Sequence, residues 1–167
     1  GMFTYDPGYT STASCESKIT FIDGENSELR YRGYDIKDLA GKHSYLDVCH
    51  LLMMGRLPSE EESKEFDLEI RHRSYLNEGI IRLFDALPDG AHPMATMGAA
   101  TMALSAFYKD HLHLEDEEEF KTMRRRILAK MPTIAAMAYR NSIGTPLIYP
   151  DVNRYFTENF LYMLRAY

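Results

Sequence analysis

The stretch Lys130-Met-Pro-Thr-Ile-Ala-Ala-Met-Ala-Tyr-Arg-Asn-Ser-Ile-Gly144 constrains the fold more than any other part of the chain. Proline is tolerated in the first turn of a helix, where its missing N–H costs nothing, so Pro132 reads as a helix entrance. Gly144 supplies the left-handed stop that a helix end favours. Between them Ala135, Ala136 and Ala138 keep the side chains short, and a neighbouring backbone can approach closely. A helix punctuated and packed in this way is expected to be buried. Thr145-Pro-Leu-Ile-Tyr-Pro150 then leaves it as a non-helical exit.

The remaining chain can supply what such a helix is buried against. Of 167 residues, 45% are hydrophobic, enough for one domain that buries roughly two-thirds of its unfolded surface. A formal charge of −6 argues against a general affinity for nucleic acid, which needs a concentrated basic face. Cys15 and Cys49 are too few and too far apart for a disulfide framework or a metal site, and read as reduced thiols. There is neither a charged start followed by an apolar run nor an apolar stretch of the roughly 18 residues a membrane span needs. A cytoplasmic location without membrane partners is expected.

Residues 2–18 read as an extended arm without helical periodicity. Ile19-Thr-Phe-Ile22 and Leu29-Arg-Tyr31 alternate around Asp23-Gly24, so residues 19–34 are expected to form a β-hairpin with a loop longer than two residues. Residues 35–167 carry helical signals. Asp35 caps a short turn through Leu39. Ser44 caps a helix that ends at Gly55, with Leu51 to Met54 in its buried last turn. Ser59 and Glu62 start a charged helix toward Arg73. Ile80, Leu83, Phe84 and Leu87 mark the next one. His92-Pro93 opens a helix with Met94, Met97, Thr101, Leu104 and Tyr108 on one face. Asp116 begins another, with Phe120, Met123, Ile127 and Met131 on its apolar side, and the Met131-Pro132 step is expected to interrupt it. A last helix spans Thr157 to Ala166. The fold class is all-α with a small β ornament, in a single partial domain over residues 2–167.

Several blocks in order carry a family resemblance: Phe3-Thr-Tyr-Asp-Pro-Gly8, Ser11 to Ser17, Ile19-Thr-Phe-Ile-Asp-Gly24, Tyr31-Arg-Gly-Tyr-Asp-Ile36, His92-Pro-Met94, Ser105-Ala-Phe-Tyr108 and Lys130 through Gly144. Together they resemble the non-catalytic first half of a bacterial citrate synthase, of the hexameric, NADH-regulated type. The resemblance implies condensation of acetyl-CoA with oxaloacetate in the complete enzyme, with no cofactor required. It also implies dimers built into a hexamer, with the small-residue face of the Pro93–Tyr108 or the Thr133–Ile143 helix at a subunit contact. The family's catalytic groups follow the region represented here, so no catalytic residue is assigned and this chain alone is expected to be inactive. A 2-methylcitrate synthase shares the scaffold and is an alternative, as is a stand-alone nucleotide-binding module.

The resemblance also implies a regulatory site. In NADH-sensitive members the inhibitor is held at positions that match Arg71, His72, Tyr108, Arg126 and Lys130. Arg73-Ser-Tyr75 departs from the family's run after the Arg-His pair. Arg126 and Lys130 stand four residues apart, so on one helix face they repel each other unless an anion sits between them. The competing explanation is that the cations gather at a helix C-terminus, where the dipole favours them. His43, His50, His92, His111 and His113 read as surface or helix-end residues. His111-Leu-His113 has a spacing that could hold a metal on a strand, but it reads as a loop, and no metal is assigned.

Overall fold

The computed structural model describes residues 2–3, 5–13, 15–108 and 115–165, so His111 and His113 lie outside the described residues. The chain forms two compact units, Gly1–Ser59 and Glu60–Tyr167.

The first unit opens with a local cluster where an extended arm was expected. The Asp6 carboxylate accepts hydrogen bonds from the backbone N–H groups of Thr10, Ser11 and Thr12 and from both threonine hydroxyls. These folds wrap a single 3-10 turn at Pro7–Tyr9. The Thr12 and Thr10 hydroxyls, with the backbone donors, hold the Asp6 carboxyl well below the usual carboxylate range.

A sheet of β1 (Thr20–Asp23), β2 (Glu28–Tyr31) and β3 (Tyr34–Asp35) follows, antiparallel in that order. Thr20 pairs with Tyr31 and Asp23 with Glu28, across the long loop that alternation suggested. The third strand extends the expected hairpin. Arg32 at φ 49° and Gly33 at φ 90° are both left-handed, which turns the chain in two residues and lays Tyr34 against Tyr31. Two residues are too few to show an alternating pattern.

Asp35 caps α1 (Ile36–Leu39) by accepting from the Lys37 N–H. Ser44 and Asp47 form a reciprocal capping box on α2 (Tyr45–Met54), and Gly55 ends it at φ 83°. The last turn of α2 is only partly buried: Leu51 is enclosed, whereas Met54 is 41% exposed. The Arg32 guanidinium donates to the Leu52 carbonyl at 2.8 Å and so ties the β2–β3 turn to this helix end.

The second unit holds α3 (Glu60–His72), α4 (Glu78–Ala86), α5 (Pro93–Phe107), α6 (Glu117–Ser142) and α7 (Phe156–Arg165). Its core joins Ile80, Ile81 and Phe84 of α4, Ala100 and Leu104 of α5, and Ile134, Met137 and Ala138 of α6. The alanine-rich segment is therefore buried, as its composition required. Helix α6 packs against α3, α4, α5 and α7.

Helix α6 also corrects the expected break. It runs unbroken from Asp116, whose carboxylate caps Glu118 and Glu119, through Pro132 to Ser142. A proline inside a helix costs about 3 kcal/mol. Here Ala129, Lys130, Thr133 and Ile134 on either side are all buried, and Thr133 Oγ1 donates to the Ser74 carbonyl at 2.9 Å. Tertiary packing holds together what local rules would separate. Two expected helix faces hold in part: Leu104 joins the core, and Met97, Tyr108 and Met131 pack against it. Met94 (65% exposed), Phe120 (37%) and Ile127 (39%) face outward, while Thr96, Ala100 and Leu104 form the buried side of α5.

Candidate functional site

Helix α6 presents Arg126 and Lys130 one turn apart at the point where α5 ends and the α3–α4 connection passes. Lys130 is only 5% exposed. Its Nζ donates to the backbone carbonyls of Arg73, at 2.9 Å, and Tyr75. Tyr108 closes α5 with its N–H on the Leu104 carbonyl, and its ring lies beneath both cations. The Arg126 guanidinium sits 4.0 Å from the ring centroid and Lys130 Nζ 5.6 Å from it.

Burial pushes Lys130 down to about 8, with Arg126 and then Arg73 adding repulsion. Arg126 is lowered by burial as well, with Tyr108 opposing and Arg73 reinforcing the shift. Among the described residues no carboxylate pairs with either cation. Glu69 serves two other arginines, Arg73 at 2.9 Å and Arg125 at 3.2 Å. Among the described residues the cluster thus gathers positive charge without a carboxylate on Arg126 or Lys130.

Of the five residues matched from the sequence, Tyr108, Arg126 and Lys130 come together. Arg71 points elsewhere: it pairs with Asp67 at 2.7 Å, donates to the Val152 carbonyl at 3.1 Å and lies over the Tyr155 ring. His72 is exposed at the end of α3. Arg73 joins the cluster instead, a residue that sequence reasoning passed over. The available signal was its position just past α3, where the chain turns toward α4. The position of Lys130 also bears on the dipole explanation. Because α6 continues to Ser142, Lys130 stands roughly three turns before the helix end, and a helix dipole acts only within the last turn.

The other candidates have structural partners. His50 is buried with its Nδ1 on the Arg56 carbonyl at 3.2 Å. His92 caps α5, its Nδ1 accepting from the Met94 N–H at 3.2 Å, and His43 is exposed. Burial raises the Cys49 thiol, which keeps it protonated and a weak nucleophile. A groove between α6 and α7 is lined by Tyr139, Arg140, Phe160 and Leu164. There Arg140 is spent on the carbonyls of Pro146 and Leu164. Among the described residues no three His, Cys, Asp or Glu side chains gather as metal ligands, and no helix is long and apolar enough to cross a membrane.

The family model described as the C-terminal domain of citrate synthase matches residues 8–167. Over its full length the chain is 52% identical to a citrate synthase from Helicobacter pylori strain J99, of which it spans 39%. Among solved structures, citrate synthase from Pyrobaculum aerophilum aligns at a TM-score of 0.89 with 29% identity, covering 100% of this chain and 45% of that one. Citrate synthase from Thermotoga maritima aligns at 0.80 with 27% identity, over 98% of this chain and 42% of that one.

Proposed function

The chain belongs to the citrate synthase family, and we propose that the full protein condenses acetyl-CoA with oxaloacetate and water to give citrate and CoA. The observation that carries this reading is the 52% identity to a curated citrate synthase across the whole of this chain. Because the chain spans 39% of that relative, the activity is assigned to the full polypeptide and not to these residues. The reaction removes a methyl proton from acetyl-CoA, joins the resulting carbon to the oxaloacetate ketone and hydrolyses the thioester. Each step needs a base and an electrophilic partner within hydrogen-bonding reach of substrate. The histidines described here are engaged as caps and carbonyl partners or stand in solvent, in keeping with a scaffold role for this part.

The regulatory reading is that Tyr108, Arg126 and Lys130 hold an inhibitory nucleotide such as NADH, as in the hexameric type. A buried lysine that no carboxylate among the described residues pairs with, over an aromatic ring and far from a helix end, supports it. Self-association is the third part of the proposal. Of the two small-residue faces, that of α6 is used up in the core, while Ala95, Gly98, Ala99 and Ala106 of α5 are exposed beside Met94 and Met102. A subunit contact through α5 therefore fits.

Thiol release from acetyl-CoA in the presence of oxaloacetate tests the activity. The full polypeptide is expected to release CoA and the 167-residue chain alone to release none. Faster turnover of propionyl-CoA would reassign the enzyme to 2-methylcitrate synthesis, and turnover by the short chain would overturn its scaffold role.

A further inference from the structure

Three successive carbonyls of the α3–α4 connection accept hydrogen bonds from side chains of α6. Lys130 Nζ donates to the carbonyls of Arg73, at 2.9 Å, and Tyr75, and Thr133 Oγ1 donates to that of Ser74, which lies between them, at 2.9 Å. Lys130, Thr133 and Ser74 are all buried. The connection leads directly into Leu76, which enters the core, and Asn77, which caps α4 by accepting from the Gly79 N–H. The start of α4 is thus set two residues after the last bound carbonyl.

A buried charge ordinarily has a partner of opposite sign. Among the described residues Lys130 has no carboxylate; two neutral carbonyls hold its ammonium, with the Tyr108 ring centroid 5.6 Å from Nζ. The Arg73 guanidinium turns to Glu69 instead. Carbonyl oxygens that accept N–H bonds and an aromatic face that attracts a cation recognise an ammonium ion whatever molecule carries it. Burial, with Arg126 and Arg73 beside it, brings Lys130 to about 8, so the charged form is the one present at pH 7.

We propose that residues 73–75 and Tyr108 form a cradle for a primary ammonium ion, that Lys130 fills it from within the chain, and that the ion in the cradle fixes where α4 begins. Lys130 is in this respect a positioning residue, and the proposal stands apart from the nucleotide reading above.

The full protein carrying Lys130→Ala tests it. The substitution keeps Cβ and removes three carbons and the nitrogen, which is the outline of n-propylammonium. A ligand that binds only the folded form raises the folded-to-unfolded ratio by one plus the quotient of its concentration and its dissociation constant. Propylammonium chloride at about ten times its dissociation constant is therefore expected to raise that ratio about elevenfold, read as recovery of the urea midpoint lost on substitution. Methylammonium is expected to rescue less, because it leaves part of the space empty. Tetramethylammonium at the same ionic strength carries the charge without an N–H to donate and is expected to rescue nothing. Lys130→Met fills the space without a cation and is expected to gain from none of the three. Amide exchange over residues 76–81 is expected to quicken in Lys130→Ala and to slow again with propylammonium. If the alanine variant is unfolded alone, its refolding yield with and without propylammonium reads the same binding. Rescue by propylammonium no greater than by tetramethylammonium, or equal rescue of Lys130→Met, would overturn the cradle, and exchange over residues 76–81 that ignores the substitution would overturn its hold on α4.

Discussion

Lys130 Nζ lies 2.9 Å from the backbone oxygen of Arg73, and this contact ties the middle of α6 to the connection between α3 and α4 across 57 positions of sequence. A second bond from the same ammonium reaches the Tyr75 carbonyl. The lysine therefore has a structural duty in addition to its charge. Lys130→Met strips two carbonyls of their donor, at about 1–3 kcal/mol for each one left unsatisfied, but also removes a desolvated charge. A net loss of about 2 kcal/mol is expected from these opposing terms, read as a lower urea midpoint. An unchanged midpoint would show that the carbonyls find other donors.

The same burial is expected to make the proposed nucleotide binding depend on pH. Lys130 is held at about 8 by burial, Arg126 and Arg73, below its ordinary value. An anion binds the ammonium form, so affinity is expected to be full below pH 8 and to fall as pH rises through 8. Titrations at pH 7 and pH 9 check this, with Lys130→Met expected to be flat over the same interval. Stability moves the other way. With the folded value below the unfolded one, the unfolded chain binds more protons between pH 8 and 10.5, and folding strengthens as pH rises across that window.

Two glycines in helical context have opposite expectations. Gly144 ends α6 at φ 66°, and Gly144→Ala is expected to cost about 1 kcal/mol through left-handed strain. Gly98 lies inside α5 with nothing within 4 Å of an added Cβ, and Gly98→Ala is expected to stabilise the isolated chain by up to about 1 kcal/mol. Chemical denaturation of the two variants side by side resolves the contrast.

On α5, Met102 is 73% exposed in the single chain, beside the small residues proposed for a subunit contact. Met102→Arg is expected to lower the oligomer mass in light scattering while leaving the far-ultraviolet circular dichroism unchanged. Retention of the full oligomer mass would place the contact elsewhere.

Signals that act over a few residues were legible in the sequence. Ser44 with Gly55 bounds α2, Asp35 caps α1, Asp116 starts α6, and the alternation around Asp23 marks the first hairpin. What escaped reading depends on contacts distant in sequence. Pro132 carries a local instruction to begin a helix, and the buried neighbours on both sides override it. Of the periodic face expected on α5, Leu104 enters the core and Met97 and Tyr108 pack against it, yet Met94 stays outside, and Thr96 and Ala100 are buried instead. At the site, Tyr108, Arg126 and Lys130 were recoverable from motif position. The approach of Arg73, and the turn of Arg71 toward Asp67 and Val152, follow only from how α3 lies on α6 and α7.

The cluster of Tyr108, Arg126 and Lys130 is best tested by calorimetric titration of NADH into the full protein and into the double variant Arg126→Ala, Lys130→Ala at pH 7. Binding is expected in the unaltered protein and none in the variant. Equal affinity in both would mean that these cations hold no nucleotide, and their role would then be confined to the packing of α6.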